Sequence, residues 1–349
     1  MSEEVWSAHE TTPDAIEASL RDMLRRQYAA HGSIAPARVL NLIVVVDRSW
    51  KGEIANRLER VGRYHPSRTV LCAVEDGRKT LDALAVMGYG ETRPGGMCVV
   101  REQVEIEMGP EHLDRLDTIV DPVIVSELAT VLWTPHGHEQ AIRALRRIMD
   151  VMLLDSDDQP DAGDGLMRSA DLLGSAYVVD LAWLRTTPWR ERLAASFDPP
   201  HRLPALGCVD RLTIRHHERS AASALLLAGW LSSRLDWEPG PLEAMNGSGL
   251  RGVAARSGGE VEVALETREQ DAPGLAGVTI SGANGFSLSL DRGRGGLQAR
   301  AAWDGTERCW QVLGASRGEG GILGEGVRQA LLRDATYAPA LEAARRFSS

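Results

Sequence analysis

RVLNLIVVV, residues 38–46, is the stretch that decides the fold. Apart from Arg38 and Asn41 it is wholly aliphatic, and it closes on three valines. A near-continuous apolar run of this length reads as a strand covered on both faces, the middle of a parallel or mixed sheet. Its surroundings fit that reading. On the upstream side Thr12-Pro13-Asp14 opens a helix with Ile16, Leu20, Leu24 and Tyr28 on one face and Gly32 as its stop. On the downstream side a helix from about Ser49 turns Trp50, Ile54, Leu58 and Val61 inward. His65-Pro66-Ser67-Arg68 then links tightly to a strand over residues 69–74.

Strands and helices keep alternating outward from there. Residues 81–89 and 97–107 read as a hairpin joined through Pro94-Gly95-Gly96. The second run alternates imperfectly, which predicts an exposed or edge position. A helix is expected over 110–128, interrupted at Pro122. Residues 130–133 and 177–181 read as strands and 151–154 as an apolar run, with helices around Ile142–Ile148 and over 166–173. This is the rhythm of a layered α/β domain with some parallel pairing.

Near Pro199-Pro200 the character changes. Residues 208–215 form a strand, and 220–235 a helix apolar nearly all round, hence buried between layers. Beyond Gly240, short runs at 261–266, 277–280, 286–290, 297–303 and 308–313 are broken by Gly, Asn and Asp, the pattern of an antiparallel meander. Helices at 325–332 and 338–347 close the chain. The expected fold is α/β, or α+β overall. Residues 1–200 form a mixed-sheet domain with flanking helices, and residues 201–349 form a β-rich domain of antiparallel strands and helices.

Composition bounds the function. The 349 residues carry a formal net charge of −10, with 43% apolar and 25% charged residues. An acidic chain has no broad basic face for nucleic acid or an anionic membrane. Cys72, Cys98, Cys208 and Cys309 are widely spaced, without C-x-x-C. Cys72 and Cys98 sit in apolar strands, as free buried thiols do. MSEEVWSAHE is acidic and lacks the apolar core of a secretory signal, and the longest apolar run is too short for a bilayer, which needs roughly 20 residues. The expectation is a cytoplasmic protein.

The motifs that suggest chemistry each have a simpler structural reading. Gly247-Ser248-Gly249-Leu250-Arg251-Gly252 matches G-x-G-x-x-G but lacks the preceding strand and following helix that a dinucleotide site needs. Gly318-Glu319-Gly320-Gly321 precedes a helix and reads as its entry turn. His136-x-His138 and His216-His217 lack a third ligand and read as solvated loop histidines. Asp155, Asp157, Asp158, Asp161 and Asp164 fail the EF-hand spacing and read as a solvated loop with an N-cap. No nucleophile–base set emerges, so no catalytic, metal or cofactor-binding residue is assigned.

What stands out is DLAWLRTTPWRERLAASFD, residues 180–198, with Trp183, Trp189, Arg185, Arg190 and Arg192 in about one helix. Thr187 can cap and Pro188 suits a first turn, which predicts a helix start there. Trp and Arg predominate at binding hot spots. Trp183, Arg185, Thr187, Pro188, Trp189 and Arg190 are therefore partner-binding candidates, with a core role for the tryptophans as the alternative. His65, Ser67 and Arg68 form either an anion-binding set or a structural turn.

The pieces RVLNLIVVV, HPSR, EQVEIE, VIVSELATVLW, LLDS, DLAWLRTTPWRERLAASFD and SALLLAGWLSSRLDW follow one another over residues 38–237. Together they resemble the glucose-6-phosphate dehydrogenase assembly protein family, OpcA. The match spans most of residues 1–240, is most specific in DLAWLRTTPWR and LLLAGWLSSRL, and fades beyond about 250. The sequence departs from the family where Thr134-Pro135-His136-Gly137 follows Trp133. The resemblance implies a non-enzymatic, cytoplasmic partner of glucose-6-phosphate dehydrogenase that promotes its active oligomer in the oxidative pentose phosphate pathway, an allosteric activator without a cofactor of its own. The alternative from the residues is a lactonase- or isomerase-like sugar-phosphate enzyme using His65, Ser67 and Arg68.

Overall fold

The computed structural model describes residues 2–31, 34–36, 38–62, 66–93, 96–245, 249–303, 305–313 and 318–349. β1 (Ser2–Ala8), α1 (Pro13–His31) and β2 (Ile34–Pro36) lead to β3 (Leu40–Asp47), the strand singled out above. Then come α2 (Lys51–Gly62), β4 (Ser67–Val74), β5 (Asp82–Arg93), β6 (Gly96–Met108), α3 (Leu116–Val120), β7 (Thr130–Trp133), α4 (Glu139–Leu145), β8 (Val151–Leu154), α5 (Ala162–Leu173) and β9 (Tyr177–Asp180). The second half runs α6 (Leu181–Phe197), α7 (Leu203–Leu206), β10 (Val209–His216), α8 (Ala221–Arg234), β11 (Glu238–Pro239), β12 (Glu243–Ala244), β13 (Gly249–Arg256), β14 (Gly259–Thr267), β15 (Leu275–Gly282), β16 (Ser287–Gly293), β17 (Gly296–Trp303), β18 (Thr306–Leu313), α9 (Gly318–Gln329) and α10 (Tyr337–Phe347). The class is α/β, with two mixed sheets.

The chain divides into two compact units. Unit 1 takes residues 1–154, 175–179 and 323–333, and unit 2 takes 155–174, 180–322 and 334–349. The division thus falls at 154/155, with returns, rather than near 200. The reason is that α5 and α6 pack against α8, an element of unit 2.

Unit 1 is built on the order β1-β5-β6-β4-β3-β7-β8-β9, with β2 on β6. β3 is parallel to both neighbours, β4 and β7, and every residue from Leu40 to Val46 is buried. β6 is parallel to β4 and β8 to β7, so strand order reverses between β3 and β7. That reversal is the switch point of a doubly wound sheet. Asn41, the polar residue in the aliphatic run, is fully buried, and its amide serves the segment beneath it. Its Nδ2 donates to Val125 O (2.9 Å) and Leu128 O (3.2 Å), and its Oδ1 accepts from Val125 N (3.0 Å).

β6 corrects one expectation. It lies inside the sheet between β4 and β5, with Val104 and Ile106 fully buried. Its imperfect alternation suggested an edge, but each glutamate within it has a cation. Arg38 and Arg68 hold Glu102, and Lys51 reaches both Glu105 and Glu107 at 2.8 Å. The helix expected over 110–128 is a 3-10 turn (Pro110–Arg115) followed by the single short α3. Tyr28 and Trp50, placed inward on helical periodicity, are largely exposed. β1, unread in the sequence, pairs antiparallel with β5.

Unit 2 carries the order β11-β13-β14-β10-β15-β16-β17-β18, with β12 on β13. The meander is antiparallel as expected, except that β10 and β14 run parallel. α8 lies between layers, with Ala222 to Ala228 buried throughout. Its Gly229 is the point of closest approach to α10: a Cβ there would lie 2.2 Å from Ala340 O and 2.7 Å from Ala344 N. Neither atom can yield without moving the α10 backbone. Gly229→Ala is therefore expected to destabilise by about 1–3 kcal/mol, overpacking outweighing the gain in helix propensity. A urea melt at or above wild-type stability would show that α8 and α10 separate freely.

Candidate partner-binding site

The signature segment begins its helix earlier than its local signals suggest. Asp180, not Thr187, is the N-cap of α6, and Pro188 lies inside the helix. Asp180 Oδ1 accepts from Ala182 N at 3.0 Å, and carboxylates suit this position because they meet the positive end of the helix dipole. Proline in a helix interior removes the donor that would meet the carbonyl four residues back. The carbonyl so affected is that of Leu184; separately, the Thr186 hydroxyl turns back to Trp183 O at 2.7 Å. Tertiary packing overrides a local stop signal here: Leu181 to Leu184, Trp189, Leu193 and Phe197 are all buried.

Three residues mark where the chain passes from unit 1 segments into unit 2: Asp155, Asp180 and Asp334. All three belong to unit 2, and α6 engages each of them. Arg185 forms a bidentate pair with Asp155, Nη1 to Oδ1 at 2.7 Å and Nη2 to Oδ2 at 2.6 Å. Asp180 is the cap. Trp183 Nε1 donates to Asp334 Oδ2 at 2.9 Å, and Arg190 Nη1 stands 3.8 Å from the same oxygen. The Arg190 guanidinium stacks 3.6 Å over the Trp183 ring while its Nε and Nη2 donate to the hydroxyls of Thr186 (2.9 Å) and Thr187 (3.0 Å). The six candidates therefore split. Trp183 and Trp189 are buried, Arg185 and Arg190 are largely enclosed, and Thr187 and Pro188 are half-exposed.

Beneath the helix lies a buried polar cluster. Asp180 is saturated: besides Ala182 it accepts from Ser156 N (3.0 Å), Ser156 Oγ (2.7 Å) and Tyr337 Oη (3.0 Å). Burial nevertheless pushes its carboxyl up to about 6. Asp157 accepts from Ser223 N (3.0 Å) and contacts Ser223 Oγ (2.5 Å), with Arg185 Nη1 at 3.7 Å. Burial, with the charge of Asp155 added, pushes its carboxyl up to about 7. Ser223 Oγ also lies 3.1 Å from Ala182 O. A hydroxyl has one proton to give. A protonated Asp157 therefore completes the chain, donating to Ser223 while Ser223 donates to Ala182. Gly165 makes room for the cluster, since a Cβ there would sit 2.4 Å from Ser156 O. The expected solvated acidic loop is thus corrected for Asp155 and Asp157, which are buried because Arg185 and Ser223 compensate them. Their sequence signal was Asp155 directly after a buried apolar strand.

The other candidates separate. Ser67 Oγ meets Thr69 Oγ1 at 3.1 Å, and Arg68 is buried with its guanidinium on Glu102 and on Val123 O (2.8 Å), which is a structural use of that cation. His65 lies outside the described residues, as do Gly247 and Ser248. Gly318 to Gly321 form the first turn of α9 rather than a loop before it. His216 is buried with Nδ1 2.8 Å from His217 O, and His217 caps the next turn through Arg219 N. His136 stacks on Trp50 at 4.9 Å, and His138 stands 3.3 Å from Asp47; burial lowers both imidazoles' affinity for protons. Among the described residues no three His, Cys, Asp or Glu side chains gather as a metal site. Cys72 is a buried thiol pushed up to about 12, and the Cys98 side chain lies outside the described residues. No described helix is long and apolar enough to cross a membrane.

Comparison with known proteins adds an independent line. Two family models match, described as the glucose-6-phosphate dehydrogenase subunit N-terminal domain over residues 58–171 and its C-terminal domain over residues 176–341. A protein named putative OxPP cycle protein OpcA from Synechococcus elongatus is 30% identical over 186 residues, covering 51% of this chain and 42% of that one. Its namesake from Nostoc punctiforme is 32% identical over 131 residues, covering 36% and 28%. The match thus spans less than half the length of these relatives. Among solved structures, a 3-ketoreductase from Actinomadura kijaniata in complex with TDP-benzene and NADP aligns with a TM-score of 0.50 at 11% identity, over 89% of this chain and 95% of that one, a likeness of fold alone.

Proposed function

Since the chain belongs to the OpcA family of glucose-6-phosphate dehydrogenase subunits, we propose that it is a non-enzymatic partner of that dehydrogenase, promoting its active oligomer and hence its activity in the oxidative pentose phosphate pathway. In this reading it works beside the enzyme in the cytoplasm as an allosteric activator. The observation that carries the proposal is the state of the signature segment. Arg185 and Arg190, the Asp180 cap and the acids beneath the helix are spent on one another, and the hydroxyls that meet those acids, Ser156 and Ser223, are buried with them. Such an arrangement fixes a shape. We assign the partner surface to the outward side of α6, where Glu191, Ala194 and Ala195 are exposed, with Trp183, Arg185, Trp189 and Arg190 holding it in place from inside. The segment after the central strand, Asp47-Arg48-Ser49-Trp50-Lys51-Gly52, also has a single glycine in place of the G-x-G-x-x-G set that lets a backbone approach a pyrophosphate.

The test is direct. Purified dehydrogenase is assayed for NADP reduction and weighed by light scattering, with and without this chain. A heavier complex and a faster rate are expected. Unchanged mass and rate would sink the proposal, and steady turnover of a sugar phosphate or its lactone by the chain alone would favour the enzyme reading.

A further inference from the structure

We propose that the groove between α6 and β18 docks an extended acidic segment of the partner, which adds to β18 as a further strand. The partner's identity rests on the reading above; the chemistry of the docking segment rests on the site itself. β18 ends the sheet of unit 2. It pairs antiparallel with β17, and among the described residues nothing pairs its other edge. Along β16 and β17, buried residues recur at every second position, as one covered face requires. β18 departs from this: Thr306 to Gln311 are exposed throughout. A strand bare on both faces and along one edge presents a row of unpaired backbone groups, a template for another strand.

The chemistry beside that edge is specific. An open groove of about 620 Å³ is lined by Arg192, Arg202, Leu290, Arg308, Trp310 and Val312, and among the described residues no carboxylate lines it. Arg202 is fixed by donating to Ser196 O at 3.0 Å and by standing 5.1 Å over the Trp303 ring. Arg192 Nε is buried without a hydrogen-bond partner in its surroundings. Three guanidiniums gathered this way, on a chain of net charge −10, call for carboxylates. The exposed Trp310 supplies an aromatic anchor beside them. A strand laid along β18 points alternate side chains into the groove, so acidic residues at every second position would meet the arginines. The free backbone edge favours a peptide over a small anion. A second copy pairing β18 to β18 would set two arginine-lined grooves side by side.

The experiment uses the full chain, a fluorescein-labelled peptide alternating Val and Glu, its Val–Lys counterpart, and the dehydrogenase. Arg308→Glu and Trp310→Ala alter exposed side chains, and thermal melts check that both variants fold. Expected are binding of the Val–Glu peptide that weakens with salt, no binding of the Val–Lys peptide, and loss of about tenfold or more in affinity in each variant, for peptide and dehydrogenase alike. Peptide binding without dehydrogenase binding leaves the groove standing and rejects the partner. Dehydrogenase binding that both variants retain overturns the groove. So does failure of the wild type to bind either probe, equal competition by inorganic phosphate, or a wild-type dimer that Arg308→Glu converts to monomer.

Discussion

Arg185→Met is expected to lower folding stability by about 3–5 kcal/mol, the usual cost of leaving a buried charge without its partner. Arg185 holds Asp155 through two short bonds and approaches Asp157 as well. Both carboxylates are largely shielded from water, so neither can exchange a lost guanidinium for solvent. Methionine keeps most of the volume, which separates the charge from the packing. Arg190→Met makes the comparison. It gives up the stacking on Trp183 and two bonds to threonine hydroxyls, at about 1–2 kcal/mol together. Urea unfolding at pH 7, read by near-ultraviolet circular dichroism, ranks the two. If Arg185→Met melts within about 1 kcal/mol of wild type, the acids are solvated and α6 does not hold them. The double variant Asp155→Asn/Arg185→Met is expected to recover part of the loss, because it removes one of the stranded charges with the arginine.

The fold was legible where burial alone decides the residue type. Residues 38–46 read as a central strand, and from Leu40 to Val46 neighbours on both faces do exclude water, though Val39 is exposed at the entry; α8 read as buried for the same reason. It was illegible where long-range pairing decides. Imperfect alternation made β6 look like an edge, since nothing local announces that Arg38, Arg68 and Lys51 arrive from other elements to hold Glu102, Glu105 and Glu107. Pro188 marked a false helix start because the apolar contacts of α6 outweigh one missing hydrogen bond. The same limit governs the site. Trp183 and Arg185 were visible by type, but Asp334 lies 151 residues from the indole it accepts from, a separation that no spacing rule spans. The edge strand was read only as one more short run. Its distinction is the absence of cover, which belongs to the folded sheet.

Asp157 sets the second large effect, a stability that falls as pH rises through neutrality. Its folded carboxyl is raised to about 7 from an ordinary value near 3.8, chiefly by burial and then by Asp155. Below about pH 4 both folded and unfolded chains hold the proton, and the contribution is fully present. Between about pH 4 and 7 the unfolded chain ionises while the folded chain stays protonated, so the native state binds more protons and stability declines. Above pH 7 both forms are ionised and the contribution is gone. Asp180, raised to about 6, loses its share over the lower part of that window. A three-unit displacement corresponds to about 4 kcal/mol as an upper bound, since coupling to Asp155 shares it between sites. Asp334 works in the opposite sense. Burial raises its carboxyl, but donors from Thr336 and Trp183 outweigh that and leave it lowered, so its contribution is lost only in acid. Asp157→Asn keeps a donor for Ser223 Oγ and removes the titration. The variant's stability, measured from pH 5 to pH 8.5, is expected to keep only the decline below about pH 6 that belongs to Asp180, to be nearly flat between about pH 6 and 7 where wild type still declines, and to exceed wild type at the alkaline end. A wild-type profile that rises over this range, or a decline that Asp157→Asn leaves intact, would place the proton elsewhere.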